Sequence, residues 1–412
     1  MSAPKLAAAV LSVLLVSSAF APAASAGAVA SNQQETYAGT HVSFDTTSDA
    51  VVDYTVGSET VLESVKVQSK SETENSGSLT VGAELSAVSG IDGSTVSIDS
   101  RAETSASVTA ESGAELRAHD NSRGILTVRA GESSQYVTAD VSSSSQAERE
   151  SGDRVVVTTE NGTQGAFVVV GDGEVTVNDR GNVSAELAED SRLVFRTYTD
   201  GRGEDDEKQE RMISNGTAAA EVYVMESGEG SSEPVADVVQ YDENTTVEVT
   251  QRGQGTVNMT VERSAHRGKV LITSVSDSVL DTAGDVRVSV DGEAAARAST
   301  YGELQRASDG GDVSKFMLRQ GSNADASADV LVAVNHFSER QITMQEIEAS
   351  NPEETATTTA TDGGTATVED GGDSDGSTDT VGEATSTTSP GFGVVITLVA
   401  LFGAAFYASR ER

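Results

Sequence analysis

Four histidines, His41, His119, His266 and His336, are the side chains of this 412-residue sequence whose unperturbed pKa suits proton transfer near neutral pH. A metal site asks for two of them four apart on a helix or on neighbouring strands, and a Ser-His-Asp device asks for a nucleophile on a sharp turn. Neither arrangement is visible. The local acid partners are Asp120 beside His119 and Glu339 near His336, so each histidine reads as structural, with no catalytic residue and no metal ligand assigned. Cysteine is absent, which removes thiol nucleophiles, disulfides and Cys-based zinc or iron–sulfur sites. A Walker loop, a Gly-x-Gly-x-x-Gly after a strand, His-Glu-x-x-His and Gly-x-Ser-x-Gly are also missing, so phosphate, dinucleotide, zincin and serine-hydrolase readings lose support and no cofactor is expected.

Two acidic clusters are candidates for cations: Glu204-Asp205-Asp206-Glu207, and Asp370-Gly371-Gly372-Asp373-Ser374-Asp375-Gly376. If Asp373 opens a calcium loop, Thr378 falls where glycine is needed and Ala384 where glutamate is needed. That pattern fails. Both clusters read as solvated surface with diffuse counterions. Five Asn-x-Ser/Thr sequons, at Asn161, Asn182, Asn215, Asn244 and Asn258, are acceptors for N-linked glycans if the chain is exported, and several sit at turn signals.

Elements that could position such groups are strands. Alternating segments run from Val51 to Val56, Val61 to Gln68, Leu79 to Leu85, Thr95 to Asp99, Ala106 to Ala110, Ile125 to Ala130 and Tyr136 to Val141. Many inward positions from Val81 to Ala118 are alanine, which predicts a thin core, a sandwich or a solenoid-like stack. Ser142 to Gly152 is polar and reads as a linker (143–153). Beyond it, ten further strands are expected between Val155 and Val290, with turn chemistry at Asn161-Gly162, Gly171-Asp172-Gly173 and Asp291-Gly292. Thr300-Tyr301-Gly302-Glu303 fits a capping box opening a short helix over Tyr301 to Ala307, before closing strands at Val330 to Val334 and Ile342 to Met344. Long loops are expected at Gly201 to Glu210 and Glu226 to Glu233. The fold class is therefore mostly β, with antiparallel domains at 27–142 and 154–350.

Composition constrains the setting. Lys plus Arg is 27 against 65 Asp plus Glu, a net charge of −38. Charge of that size repels itself unless salt screens it, and six lysines, no tryptophan and 4 % aromatics suit a protein built for brine. A basic face for nucleic acid is lacking. At the start, Lys5, the apolar run Leu6 to Phe20 and Ala24-Ser25-Ala26 match a secretory signal peptide cleaved between Ala26 and Gly27. From Asn351 to Ser389 there are twelve Thr, nine Asp or Glu and no Lys or Arg, which predicts an extended stalk (351–389) without a core. Gly391 to Ala408 then gives eighteen uncharged residues, enough at about 1.5 Å each to span a bilayer core, and Arg410 and Arg412 beyond it place the upstream chain outside.

Pro390, Gly391 and Phe392, the apolar helix and the basic end (390–412), behind a Thr-rich acidic stalk, resemble the PGF-CTERM sorting signal of haloarchaeal surface proteins. The resemblance implies that an archaeosortase removes the helix and attaches a prenyl-type lipid, so that the span is a temporary anchor. Stretches such as Val290 to Arg297 and Val334 to Arg340 also resemble uncharacterised haloarchaeal surface proteins, which implies no particular activity. The expectation is an exported, membrane-anchored halophilic glycoprotein with a structural or interaction role in the envelope, partnered by the membrane, the archaeosortase and a surface-layer glycoprotein. A surface solute-binding or adhesion module is the alternative, and an envelope hydrolase comes last.

Overall fold

The computed structural model describes residues 34–75, 84–227, 233–253, 255–281, 285–320 and 328–347. The chain divides into two units, Met1–Ser350 and Asn351–Arg412, and every described residue lies in the first. The expected signal peptide, the stalk, the sorting tripeptide with its helix, and most of the strand expected over Leu79 to Leu85 fall outside the described residues.

Four sheets build the body. The first carries a four-strand meander, Glu35–Ala38, Val42–Thr46, Val51–Val56 and Glu59–Ser69, extended by Gln135–Asp140, Val183–Leu187 and Gly173–Val177. The second carries the meander Val96–Arg101, Ser105–Ala110, Glu115–His119 and Ile125–Arg129, extended by Arg192–Tyr198, Gln164–Val170, Arg154–Thr158 and Gln146–Arg149. These two sheets close over one core, because alternate residues such as Val42, Phe44 and Val51 on one meet Val108, Leu116 and Phe195 on the other. Alanines 106, 110, 114 and 118 do line that core, as their spacing suggested. Gly165 has a packing reason: a Cβ there would lie 2.6 Å from the Phe195 ring, which already packs, tilted by 38°, against Phe167 with centroids 4.6 Å apart.

The expected linker over 143–153 does not separate two domains. Strand Gln146–Arg149 sits inside it, and Gln135–Asp140 pairs with Val183–Leu187 while Ile125–Arg129 pairs with Arg192–Tyr198, so ladders cross it in both sheets. Serine-rich polarity marked an edge strand, which needs no apolar residues. Gly171-Asp172-Gly173 is likewise not a hairpin: it carries the chain from the second sheet across to the first, with Gly171 at φ +90°. Asp291-Gly292 does close a hairpin, both residues having positive φ, between Asp285–Val290 and Glu293–Ala294.

The third sheet orders Val235–Gln240, Ala218–Met225, Arg267–Val275, Ala328–His336, Lys315–Gln320 and Ala296–Arg297. The fourth orders Thr245–Gly253, Thr256–Arg263, Glu339–Ile347, Asp285–Val290 and Glu293–Ala294, and packs against the third over Val222, Leu271, Val332, Met259 and Met344. Pairing is antiparallel except for Ala218–Met225 with Arg267–Val275 and Ala296–Arg297 with Lys315–Gln320, which run parallel. The outer faces of the second and third sheets bury each other in a further apolar cluster that includes Ile125, Val168, Val194, Ile272 and Leu331. That explains why Arg192–Tyr198 is buried at every position, Arg192, Arg196 and Thr197 included: a strand covered on both faces leaves no side to solvent.

Three α-helices occur among the described residues: α1 (Lys70–Asn75), α2 (Glu204–Ser214) and α3 (Tyr301–Ser308). The Thr300 hydroxyl caps α3 by accepting from the Glu303 N–H at 3.3 Å, and Leu304 and Ala307 pack beneath it. α2 replaces the loop expected over Gly201 to Glu210. It opens with the Gly203 N–H donating to Asp206 Oδ2 at 2.8 Å, and four acidic residues fill its first turn, where the helix dipole favours them.

Candidate functional site

Where the two sandwiches meet, the burial is ionic as well as apolar. On α2, residues Asp206, Gln209 and Glu210 stand at i, i+3 and i+4, so one face carries all three inward. Asp206 lies 3.0 Å from Arg123, Gln209 donates to Asp329 at 2.9 Å, and Glu210 accepts from the Tyr198 hydroxyl at 2.6 Å and from Arg202 at 2.6 Å and 2.7 Å. Arg196, fully buried, faces Glu221 at 2.8 Å, off the line of a hydrogen bond, while Glu221 accepts from the Tyr223 hydroxyl at 2.7 Å. Arg123 and Arg196 lie 5.0 and 5.6 Å from the centre of the Tyr198 ring. Burial pushes the phenols of Tyr198, Tyr223 and Tyr241 well above their ordinary pKa, so they stay neutral. The expected solvated cation surface at Glu204 to Glu207 is therefore corrected at Asp206, which is a buried ion-pair partner.

Beside this interface the second sheet emerges from under its cover, leaving a cleft of about 420 Å³. Its floor comes from alternation: on Glu115–His119, residues Leu116 and Ala118 face the core, so Glu115, Arg117 and His119 face the cleft. Arg129 lies opposite Glu115 on one neighbouring strand and opposite Arg192 on the other, which sets two guanidinium groups side by side. Glu243, from the turn after strand Val235–Gln240, bridges them, in contact with Arg129 and 3.4 Å from Arg192. Burial pulls the Arg192 guanidinium below its ordinary pKa against the attraction of Glu243, and Arg129 beside it acts in the same direction as burial. Among the described residues the Arg117 side chain donates only to the Ser105 hydroxyl, at 3.1 Å.

His119 lines the cleft while its Nδ1 lies 2.9 Å from Asp237, whose other oxygen accepts from Asn121 at 2.8 Å. Its partner is thus not the neighbouring Asp120. That carboxylate instead accepts three backbone N–H groups, from Thr40 at 2.7 Å, His41 at 2.6 Å and Val42 at 2.7 Å. Gly39 is needed there, because a Cβ would sit 2.3 Å from the Asp120 carboxylate. His336 is exposed and its N–H donates to the Asn335 side chain rather than to Glu339, and His266 Nδ1 lies 3.2 Å from the Phe337 carbonyl. His41 lines a separate cavity of about 300 Å³ near Ser274 and Ser276. The four histidines do not converge, and among the described residues no group of three His, Asp or Glu could hold a metal.

The sequons separate by environment. Asn161, Asn215 and Asn244 are exposed at turns. Asn182 is half-buried, donating to Asp140 at 2.5 Å and accepting from the Val141 N–H at 3.3 Å, and Asn258 lies mid-strand donating to Gln251 at 2.7 Å. Sequence reasoning missed Arg117, Arg129, Arg192 and Glu243 as a group. Its one available signal was the alternation Glu115-Leu116-Arg117-Ala118-His119, which marks a strand with a polar face.

Residues 389–410 match the PGF-CTERM motif. That motif marks archaeal proteins held at the cell membrane with the body outside, so the chain is exported, processed by an archaeosortase and anchored at the surface. A search of curated proteins finds no match to the chain. Among the described residues no helix is long and apolar enough to cross a membrane.

Proposed function

We propose that this surface-anchored chain is a non-enzymatic interaction component of the archaeal envelope, a glycoprotein of a salt-adapted cell that works beside the surface layer. The observation that carries this reading is a body with few large apolar side chains on its surface: Val313 and Ile347 are those exposed among the described positions. Contacts made by such a face are ionic or hydrogen-bonded rather than hydrophobic. A second reading, a surface binding or adhesion module, is favoured by the arginine-lined cleft, since converging polar groups in a concavity are what ligand recognition requires.

The experiment compares three strains: one with the intact chain, one lacking it, and one in which Pro390-Gly391-Phe392 is replaced by three alanines. Envelope integrity after osmotic down-shift and adhesion to a surface are measured in each. Both should fall in the deletion strain, whereas the alanine variant should retain the peptide from Val399 to Tyr407 and stay membrane-held by its apolar span. Identical integrity and adhesion in all three strains would remove the proposed role.

A further inference from the structure

We propose that the cleft between strand Glu115–His119 and the turn carrying Glu243 binds an oxyanion, a carboxylate or sulfate group, with Arg117 as the cation that receives it. Of the three arginines in the lining, Arg129 is paired with Glu243 and Asp190 and Arg192 lies 3.4 Å from Glu243, whereas Arg117 has no carboxylate partner among the described residues. That unneutralised cation sits in a concavity, where low-dielectric walls concentrate its field.

The site also shows which chemistry it accepts. Arg129 and Arg192 already hold a carboxylate, that of Glu243, supplied by the chain itself. Arg117 lies two residues along the strand from Glu115, on the same face, opposite Thr127 on the neighbouring strand. Its guanidinium is exposed and its bond to Ser105 uses one nitrogen, which leaves donors for a planar or tetrahedral oxyanion. Thr127 and His119 add polar groups within the same lining. Among the described residues no Phe, Tyr or Trp lines the cleft, so stacking of a neutral sugar face on such a ring is not the mode of recognition. Charge and hydrogen bonding carry it.

The group could arrive as a free anion or as part of an acidic polysaccharide, and this choice alone rests on the envelope reading above. The test uses the full chain extracted in detergent, titrated calorimetrically at one fixed KCl concentration with sodium sulfate, glucuronate, a hexuronate oligomer and a neutral glucose oligomer. Saturable binding of at least one anionic probe and none of the neutral one is expected. Oligomer binding well above that of the monomer assigns the polymer as source, and equal binding assigns the free anion. Arg117→Gln should weaken binding by about tenfold or more, the loss expected for a charge-assisted contact. Glu243→Gln should strengthen it, because the internal competitor for Arg129 and Arg192 is weakened. Arg149→Gln, which alters a surface pair with Glu174 outside the cleft, should leave it unchanged. No saturable anion binding by the parent chain, or equal losses in the Arg117 and Arg149 variants, overturns the proposal. Either result leaves the envelope phenotypes to be judged on their own.

Discussion

Arg196 has no exposed surface, yet it keeps its charge because Glu221 and the Tyr198 ring replace part of the water it lost. Such a pair contributes little net stability when intact but a great deal when half of it is removed. Arg196→Ala should destabilise the body by about 3–5 kcal/mol, since Glu221 is then buried without a counter-charge. Combining Arg196→Met with Glu221→Gln should recover most of that loss, because the amide still accepts from the Tyr223 hydroxyl. Denaturant midpoints at constant salt measure both. A single variant within about 0.5 kcal/mol of the parent would show that the charge is reached by water and that the pair is not what it looks like. Nothing near Arg196 in the sequence announces Glu221, which lies on a strand of the other sandwich.

At the scale of elements, turns and strands give a sequon different access to a glycosyltransferase, although the triplet is the same. Asn161 lies on the hairpin turn closed by the Thr159 N–H to the Thr163 carbonyl, and Gly162 there has φ +90°. Asn215 caps the end of α2, and Asn244 lies on the turn from Asp242 to Thr245. Asn258, in contrast, belongs to a strand paired on both sides, and the Asn182 amide is half-buried against Asp140, whereas the Asn161 amide, which donates to Glu59 at 3.2 Å, is exposed. Glycans are therefore expected on Asn161, Asn215 and Asn244 and not on Asn182 or Asn258. Glycopeptide mass spectrometry of envelope material decides this, and a modified Asn258 with unmodified turn sites would reverse the assignment. The same contrast governed what was legible in the chain. Asp291-Gly292 and the Thr300 cap follow local rules and were readable, whereas α2, with its polar inward face, looked like a loop.

For the whole molecule, burial removes both signs of charge equally. The side chains of Arg123, Arg154, Arg192, Arg196, Arg202 and Arg263 are at least nine-tenths buried, and so are Asp120, Asp206, Glu210, Glu221, Asp237 and Asp329, so the accessible surface keeps the acid excess of the net charge. Self-repulsion of that surface is screened within about 3 Å at 1 M salt but extends over about 10 Å at 0.1 M. Lowering KCl through that range should cost the purified chain its β signal in circular dichroism and its cooperative thermal transition; an unchanged transition would contradict it. Burial would raise the carboxyls of Glu150 and Asp242, but hydrogen bonds from Arg202 and Arg154 to one, and from the Asn244 N–H and Arg263 to the other, hold both below their ordinary values. Their contribution is complete above the unfolded carboxylate pKa of about 4 and is lost as pH falls through the lower folded values. Tyr37 works at the other limit: burial, with Asp120 and Asp237 nearby, pushes its phenol up to about 12. Its contribution is complete below the ordinary phenol pKa of about 10 and is lost as pH rises through the folded value. Stability should thus hold between these limits at high salt and fall beyond either, read as thermal midpoints across pH.

The sequence by itself determined where the protein goes and what it is made of. Pro390-Gly391-Phe392 with its apolar run is a linear signal, read by an enzyme and a membrane along a single stretch of chain. Strand alternation from Thr256 to Glu262 is equally local, because period-two burial needs only one covered face. Tertiary structure alone decided how those strands were shared between sheets, since Gly171-Asp172-Gly173 has the same local chemistry whether it closes a hairpin or crosses to the opposite sheet. It also decided that Asp206 and Glu210 are interior. Their partners reach them from separate elements, Arg123 from the turn before strand Ile125–Arg129 and Tyr198 from strand Arg192–Tyr198, and a carboxylate goes inside only where such partners converge. The cleft belongs to the same class: Arg117, Arg129, Arg192 and Glu243 are scattered in the chain and become one site only through register and the stacking of two sandwiches.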